Sequence, residues 1–491
     1  MPQNAPFFAR RPLFLMPSEF EERTVSIQRR AASILLLEGL ASSGLQMIAI
    51  RQTTPFVGSS ILSTSIVIST FLAALAVGYF VGGRVKLHRF AGTLHFNLLV
   101  ATVVFAIGLS YPFVDVFFSG LSLITSGASL LGNPLLHLFI YCLLVLVPLV
   151  FLLAQTVPLL LNISTDLSTS EAAGNATAIS TLGNVVGCIF TSLVVMYLFG
   201  VGASILINCI YLVICIWLTS GKLPKQRATT LIGSAAILAL AIGLNILIPR
   251  SIMSSDGIYS NIRVFDVEDG TKMMMNGSNA SFLERGTGKG WPYIEQIKAA
   301  IKGSKIENPN VLVLGAGGFT LTASGMDGVN VVYVDVDKEA KAVAEREFLK
   351  APITGQFVEE DARRYLLTNT QKWDFIVVDV YSNASTIPAH IATQEFFSLV
   401  SNRLTNEGKA ILNIVAYPAL EDAYSASMDF TIRSAFPFCI THLSAFGDEL
   451  ANILYFCRNR KGSNDVASLY KDDTSRVEVE GFLALQARKS K

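Results

Sequence analysis

From residue 31 to about 250 the chain runs through long apolar stretches separated by short polar breaks, and beyond 250 apolar positions recur at strand and helix periods instead. Stretches near 31–50, 57–82, 92–112, 136–161, 176–199, 201–219 and 229–248 are each long enough to cross a hydrocarbon core of ~30 Å, which predicts about seven spans. The segment 113–133, FVDVFFSGLSLITSGASLLGN, reads as an eighth span, a re-entrant piece or an interfacial helix. The first stretch follows Arg29-Arg30 without a small-residue cleavage site, so it reads as an anchor rather than a removable leader. Gly39 and Gly44, then Gly78, Gly82 and Gly83, then Gly183 and Gly187 recur at helix-packing spacing and are read as close-contact positions. Glu38 is the ionisable exception inside an apolar run. It is either a functional group for transport or amine binding, or a buried acid hydrogen-bonded to a span such as that bearing Gln155 or Asn184.

After Pro249-Arg250 the pattern becomes that of an α/β domain. NIRVFDVED, Gly270 and TKMMMNGS alternate as a hairpin does, and a helix is expected around 291–302. PNVLVLGAGGFTLTASG then predicts a strand, Val311 to Leu314, running into a glycine turn, and VNVVYVDVDKEA predicts a second strand ending in Asp335. QFVEEDARRYL places Asp361 after a third strand, and KWDFIVVDVYS places Asp379 at the end of a fourth. In a parallel sheet, acids at the carboxyl ends of successive strands converge on one crevice, while glycines let the backbone approach a ligand. The turn reads G-A-G-G-F-T and lacks the third glycine of a dinucleotide fingerprint. Two acids on an adenosine and a third beside a reacting group describe a class I S-adenosylmethionine-type site.

Composition sharpens the division. The chain is 51% apolar and 15% charged, too charge-poor for one soluble fold. Residues 1–250 hold 13 Lys+Arg and 7 Asp+Glu, and the remainder 25 and 30, so the second half is acidic and nucleic-acid binding is disfavoured. Disorder is excluded by the apolar content. The six cysteines (Cys142, Cys188, Cys209, Cys215, Cys439 and Cys457) form no CxxC, and the five histidines (88, 95, 137, 390 and 442) are dispersed, so neither a metal site nor a disulfide framework is expected. Five basic residues precede the first span, Arg51 is taken as the next loop's charge, and further basic residues stand at Arg84, Lys86 and Arg89 and at Lys222, Lys225 and Arg227. The positive-inside rule then puts the N-terminus in the cytoplasm. Seven spans would leave the second half outside, where a nucleotide cofactor is not available. An eight-span or re-entrant arrangement is therefore expected, with the enzyme domain cytoplasmic and the protein a multi-pass component of the cell (inner) membrane.

The strand–turn–acid series and the hairpin before it resemble spermidine synthase, the polyamine aminopropyltransferases. The whole chain looks like the membrane-fused members of that family, whose spans are similar around EGLASSG and NATAISTLGNVVG. Ordinary methyltransferases share the sheet but lack the leading hairpin, so residues 258–285 discriminate. The fold implied is a polytopic α-helical membrane domain followed by an α/β class I S-adenosylmethionine-type (Rossmann-like) domain with a small N-terminal β-hairpin region. Its divisions are a cytoplasmic segment 1–30, a transmembrane domain 31–250 of seven or eight helices, a β-hairpin and substrate-side region 251–303, a transferase domain 304–460 and a charged tail 461–491.

The resemblance implies aminopropyl transfer from decarboxylated S-adenosylmethionine, or a relative using the intact cofactor, to an amine such as putrescine, with methylthioadenosine leaving. Asp335 would bind the ribose, Asp361 the adenine amino group, and Gly315 and Gly317 would form the cofactor turn. Tyr293 would line the amine channel together with Tyr259 and Tyr381, and Asp379 would orient and deprotonate the attacking amine. The sequence departs from the family at Ser260 (for Gln), Ile294, Gly318 (for an acid) and Ser382 (for the second acid of D-S-T-D). Cofactor contacts survive better than amine contacts, which favours a less charged acceptor and, through Gly318, room for the carboxylate of intact cofactor. His390 is expected to pack at or cap a helix start, or to touch substrate. Tyr381 either closes the acceptor channel or packs the core. Expected partners are a small amine and the lipid bilayer, with a homo-oligomer left open. The alternatives are a methyltransferase, or a polyamine- or nucleoside-binding transporter or sensor without turnover.

Overall fold

The computed structural model describes residues 17–86, 89–125, 131–161, 169–220, 224–383, 386–436, 438–443, 449–458 and 477. The start of the N-terminal segment, His88, Lys222, residues 126–130 and, apart from Val477, the tail 461–491 lie outside the described residues.

The first helix, Pro17–Val57, continues past the expected break, so Arg51 lies within it rather than in a loop. Among the described residues, six helical stretches are long and apolar enough to cross a bilayer. One of them, Ser170–Thr219, has 50 residues. At 1.5 Å per residue it would span about 75 Å as one rod, but Gly200 (φ +82°, ψ −179°) breaks it into two antiparallel pieces. Bilayer-length rods among the described residues therefore number seven. Among the described residues there is no eighth crossing: Tyr111–Ile124 is a 14-residue helix, about 21 Å long and too short to cross.

The glycines act as spacers. A Cβ on Gly39 would lie 2.5 Å from the Ser180 carbonyl oxygen, and one on Gly183 or Gly187 2.4 Å from those of Leu36 or Leu40, so the first helix and the 169–199 helix touch backbone to backbone. Gly78 and Gly82 admit Ala154 and Pro158 in the same way. Glu38 is buried, but its two expected partners are engaged elsewhere. Gln155 accepts from Asn97 (3.1 Å) and Asn184 from Ser43 (2.9 Å).

The remainder forms two sheets. Strands β1 (Ser255–Asp256), β2 (Asn261–Val267), β3 (Gly270–Met275) and β4 (Ser278–Glu284) make a four-stranded antiparallel sheet, so the expected hairpin β2–β3 gains a strand on each side. A seven-stranded sheet follows, built from β5 (Asn310–Leu314), β6 (Asn330–Asp335), β7 (Gln356–Glu359), β8 (Trp373–Val378), β9 (Leu404–Ala416), β10 (Phe438–Leu443) and β11 (Ala451–Arg458). Its order is β10-β11-β9-β8-β5-β6-β7, with β5 to β9 parallel and β10 and β11 antiparallel. Both faces are covered, and successive β5 residues alternate between two cores: Val311 and Val313 with Ile297 and Phe348, Leu312 and Leu314 with Phe396 and Phe397. The connections reverse direction between β5 and β8, which opens a crevice at their carboxyl ends.

Cys439 and Cys457 are cross-strand partners on β10 and β11 and form a disulfide, contrary to the sequence expectation. Cysteine spacing carried no sign of it, because the pairing depends on strand register.

The α/β domain sits on the end of the helical domain where the first helix stops. Arg51 Nε donates to the Gly257 carbonyl (2.9 Å), Asp115 of the short helix pairs with Arg263 of β2 (3.6 Å), and the chain at Gly200 abuts Asp256. The opposite end holds the helix ends at Gly82, Phe90, Thr219 and Pro224, near which His95 meets Thr219 (3.0 Å). Seven rods thus leave the start of the first helix and the α/β domain at opposite ends.

Candidate active site

The crevice opens into a cavity of about 1450 Å³, larger than the roughly 300–1,000 Å³ usual for a single small ligand. Gly315, Gly317, Asp335, Asp361, Asp379, Tyr259, Tyr293 and Tyr381, the residues to which the resemblance gives cofactor, acceptor or proton-transfer roles, line it.

Gly315 follows β5 with φ +88°, and a Cβ there would lie 2.1 Å from the Asp379 carbonyl oxygen. Only glycine permits both the dihedral and the approach of the two strand ends. Gly317 also has positive φ. Asp335 ends β6, and its two oxygens accept from the Ala316 amide (2.8 Å) and the Asp337 amide (2.9 Å). Burial pushes its carboxyl up, against the pull of these amides. A carboxylate has about four lone-pair sites, so two remain for a ligand's hydroxyl pair. Asp361 caps the helix Ala362–Thr368 through the Arg364 amide (2.9 Å), and its other oxygen meets His390 Nε2 (3.1 Å). The His390 contact holds its carboxyl below the usual range. His390 itself neither opens nor caps a helix: the next one is Gln394–Asn402, capped by Thr393.

Asp379 directly follows β8 and sits where β5, β8 and the helix Pro292–Lys302 meet. Tyr293 donates its hydroxyl to Oδ2 (3.0 Å), and Asn413 donates Nδ2 to Oδ1 (2.8 Å). Burial raises the Asp379 carboxyl, and these two donors hold it down. Asn452 in turn donates to Asn413 Oδ1 (2.9 Å), so β9 and β11 orient the amide that orients the acid. Sequence reasoning missed Asn413, although a lone amide inside the apolar strand KAILNIVAY was a readable signal.

Tyr381 is held differently from the expected channel residue. Its hydroxyl donates to the Asn413 carbonyl (3.0 Å) and accepts the Val415 amide (2.7 Å), so only its ring is offered to the cavity. Ser382, where the family carries a second acid, donates to the Thr386 carbonyl (3.0 Å). Ser260 donates to Asp337, which caps the helix Lys338–Val343 and whose carboxyl burial pushes up to about 6. Asp337 was missed because its sequence signal is that of an ordinary helix cap. Gly318 does not line the cavity. A side chain there would strike Phe348 (2.5 Å) and Ser281 (2.8 Å), so the missing acid opens no room for a cofactor carboxylate.

No protein-family profile matches the chain. A probable polyamine aminopropyl transferase of Bifidobacterium longum is 22% identical over 186 residues, 37% of this chain and 41% of that relative. The match spans less than half of the relative's length. Among solved structures, a probable spermidine synthase from Corynebacterium glutamicum aligns at TM-score 0.36 and 21% identity, covering 42% of this chain and 79% of that one. Spermidine synthase from Thermotoga maritima aligns at 0.32 and 16%, covering 46% and 81%. Human methyltransferase-like protein 13 aligns at 0.27 and 20%, covering 37% and 82%. The architecture is a helical domain joined to a class I S-adenosylmethionine-type domain.

Proposed function

We propose that this chain is a membrane-anchored transferase that moves an aminopropyl group from decarboxylated S-adenosylmethionine to an amine and releases methylthioadenosine. The observation that carries this reading is Asp379, a half-buried carboxylate beside the glycine turn with a donor on each oxygen. An ammonium has no lone pair and cannot displace a sulfonium until a group within reach takes its proton. A carboxylate raised by burial is a better acceptor than one in water. The amine nitrogen then bonds to the carbon next to sulfur, the C–S pair goes to sulfur, and the proton goes to Asp379. Asp335 and Asp361 hold the ribose and adenine, Gly315 and Gly317 admit the cofactor, and Tyr293 and Tyr259 border the acceptor.

The test is incubation of the detergent-purified full chain, beside Asp379→Asn, with decarboxylated or intact S-adenosylmethionine and a panel of amines, read by mass spectrometry. Methylthioadenosine that depends on amine and on Asp379 is expected. S-adenosylhomocysteine with a methylated product would replace the reading by methyl transfer, and ligand binding without product, unchanged in the variant, by a binding protein.

The seven rods bear on which side the enzyme faces. Arg29, Arg30, Arg84, Lys86, Arg89, Lys225 and Arg227 lie toward the end away from the α/β domain. Positive-inside bias makes that end cytoplasmic and the α/β domain extracytoplasmic, where the Cys439–Cys457 bond would persist. The expectation of a cytoplasmic enzyme rested on cofactor supply, which this orientation requires to come from across the membrane. In spheroplasts, Asp269→Cys should react with an impermeant thiol reagent and Lys225→Cys should not. The reverse pattern returns the domain to the cytoplasm.

A further inference from the structure

The cavity does not stop at the α/β domain. From the Asp379 wall it continues into the helical domain, where Met47, Ile50, Ile61, Leu62, Ser65 and Met196 line it. Met47 lies ten residues before the end of the first helix, so this arm reaches about 15 Å below that end, roughly half of a hydrocarbon core. Ile61, the first residue of the second helix, is 83% exposed and also lines the arm, which places an opening at the start of that helix. The arm mixes these apolar side chains with the hydroxyls of Thr54, Ser59, Ser60, Thr64 and Ser192 and holds no acid, whereas the sheet end is acidic, with Asp335, Asp337, Glu360, Asp361 and Asp379 in the wall. Between them stands Arg51, 7% exposed. Its Nε is bound to the Gly257 carbonyl, while Nη1 and Nη2 are buried without a hydrogen-bond partner among the described residues. Asp256 and Asp337 are near enough to attract it but accept no hydrogen bond from it.

That arm offers a dicationic soluble diamine no carboxylate and one cation, Arg51, and Ser260, Ile294 and Ser382 stand where the resemblance expects other polar groups to hold one. We infer that the acceptor is an amine-headed lipid of the bilayer. Its chain lies in the arm between the first and second helices, its amine reaches Asp379, and Arg51 faces the junction between head and chain. The inference rests on the transfer reading above and names its substrate class. The step balances as there: a C–N bond forms on the lipid amine, the C–S bond breaks, the thioether leaves neutral and Asp379 takes the proton.

The test uses the full chain in nanodiscs of phosphatidylethanolamine with phosphatidylglycerol, in nanodiscs with phosphatidylcholine instead, and in the latter doped with a sphingoid base, each given the sulfonium co-substrate. Octylamine, butylamine and 1,4-diaminobutane are compared in detergent. Expected are a mass gain on an amine-headed lipid, with the phosphatidylethanolamine and sphingoid arms showing whether a phosphate is needed, and octylamine turned over at least tenfold more efficiently than butylamine. Arg51→Gln and Ile61→Trp should each raise the half-saturating lipid fraction severalfold. Ile61, being exposed, tolerates substitution without unfolding the chain. Turnover of the diamine with every bilayer lipid unmodified overturns the lipid acceptor and leaves the transfer reading standing. Absence of thioether with every amine overturns both.

Discussion

At the sheet end of the cavity Asp335 takes the amides of Ala316 and Asp337, and Asp379 takes Tyr293 and Asn413. At the helical end the guanidinium of Arg51 keeps two nitrogens unmatched and the remaining wall mixes aliphatic side chains with serine and threonine hydroxyls, without an acid. The first end is preorganised: its charges are already oriented by backbone and side-chain donors, as electrostatic catalysis requires. The second offers area and depth but little geometry, which suits a flexible chain held by burial rather than by directed bonds. One cavity thus combines an acidic, preorganised end with an acid-free, less ordered one.

The largest expected effect is on the preorganised side. Asp379→Asn should lower turnover by about 10²–10⁴-fold with the adenosyl ligand still bound, measured by product formation beside ligand-induced thermal stabilisation. Retained turnover would show that the sheet end does no proton chemistry. Gly315→Ala must place a Cβ against the Asp379 carbonyl at positive φ, and a loss of about 3 kcal/mol is expected in denaturant unfolding of the α/β domain. Tyr293→Phe removes one donor to the ionised form of Asp379, so its carboxyl should rise further, and the acid limb of kcat/KM against pH should move up by about one unit. An unmoved limb would mean that another group carries the titration.

The smallest effect concerns Asp337, whose folded-state carboxyl, near 6, lies above its unfolded value. The folded state binds that proton more tightly, so the ionised form costs stability as pH rises through about 6. Asp337→Asn should therefore stabilise the chain by about 1 kcal/mol at pH 7, and the advantage should shrink as pH falls toward 4, read from thermal midpoints across pH. A pH-independent difference would mean that the Ser260 contact, not the charge, sets the balance.

The division into an apolar helical half and an α/β half, the strands β5 to β8 and the acids at or just beyond the ends of β6, β7 and β8 were legible in the sequence, because each is written in local periodicity and in turn residues. Gly315 was legible for the same reason: a tight turn after a buried strand leaves few other choices. The partners that tune the acids were not. Asn413 and Asn452 reach Asp379 from strands 34 and 39 residues apart in turn, and no local pattern encodes which amide faces which carboxylate. The Cys439–Cys457 bond likewise followed from the register of β10 on β11 rather than from spacing.

Sequence alone therefore determined the kinds of element, their order and the placing of acids at successive strand ends, all properties of short windows of chain. Tertiary structure decided the rest. It extended the first helix through Arg51, stopped the short helix Tyr111–Ile124 before a crossing, and joined the crevice to the helical domain in one cavity. Those outcomes depend on which surfaces meet when the two halves dock, and the free energy of that docking is shared among residues distant in the chain.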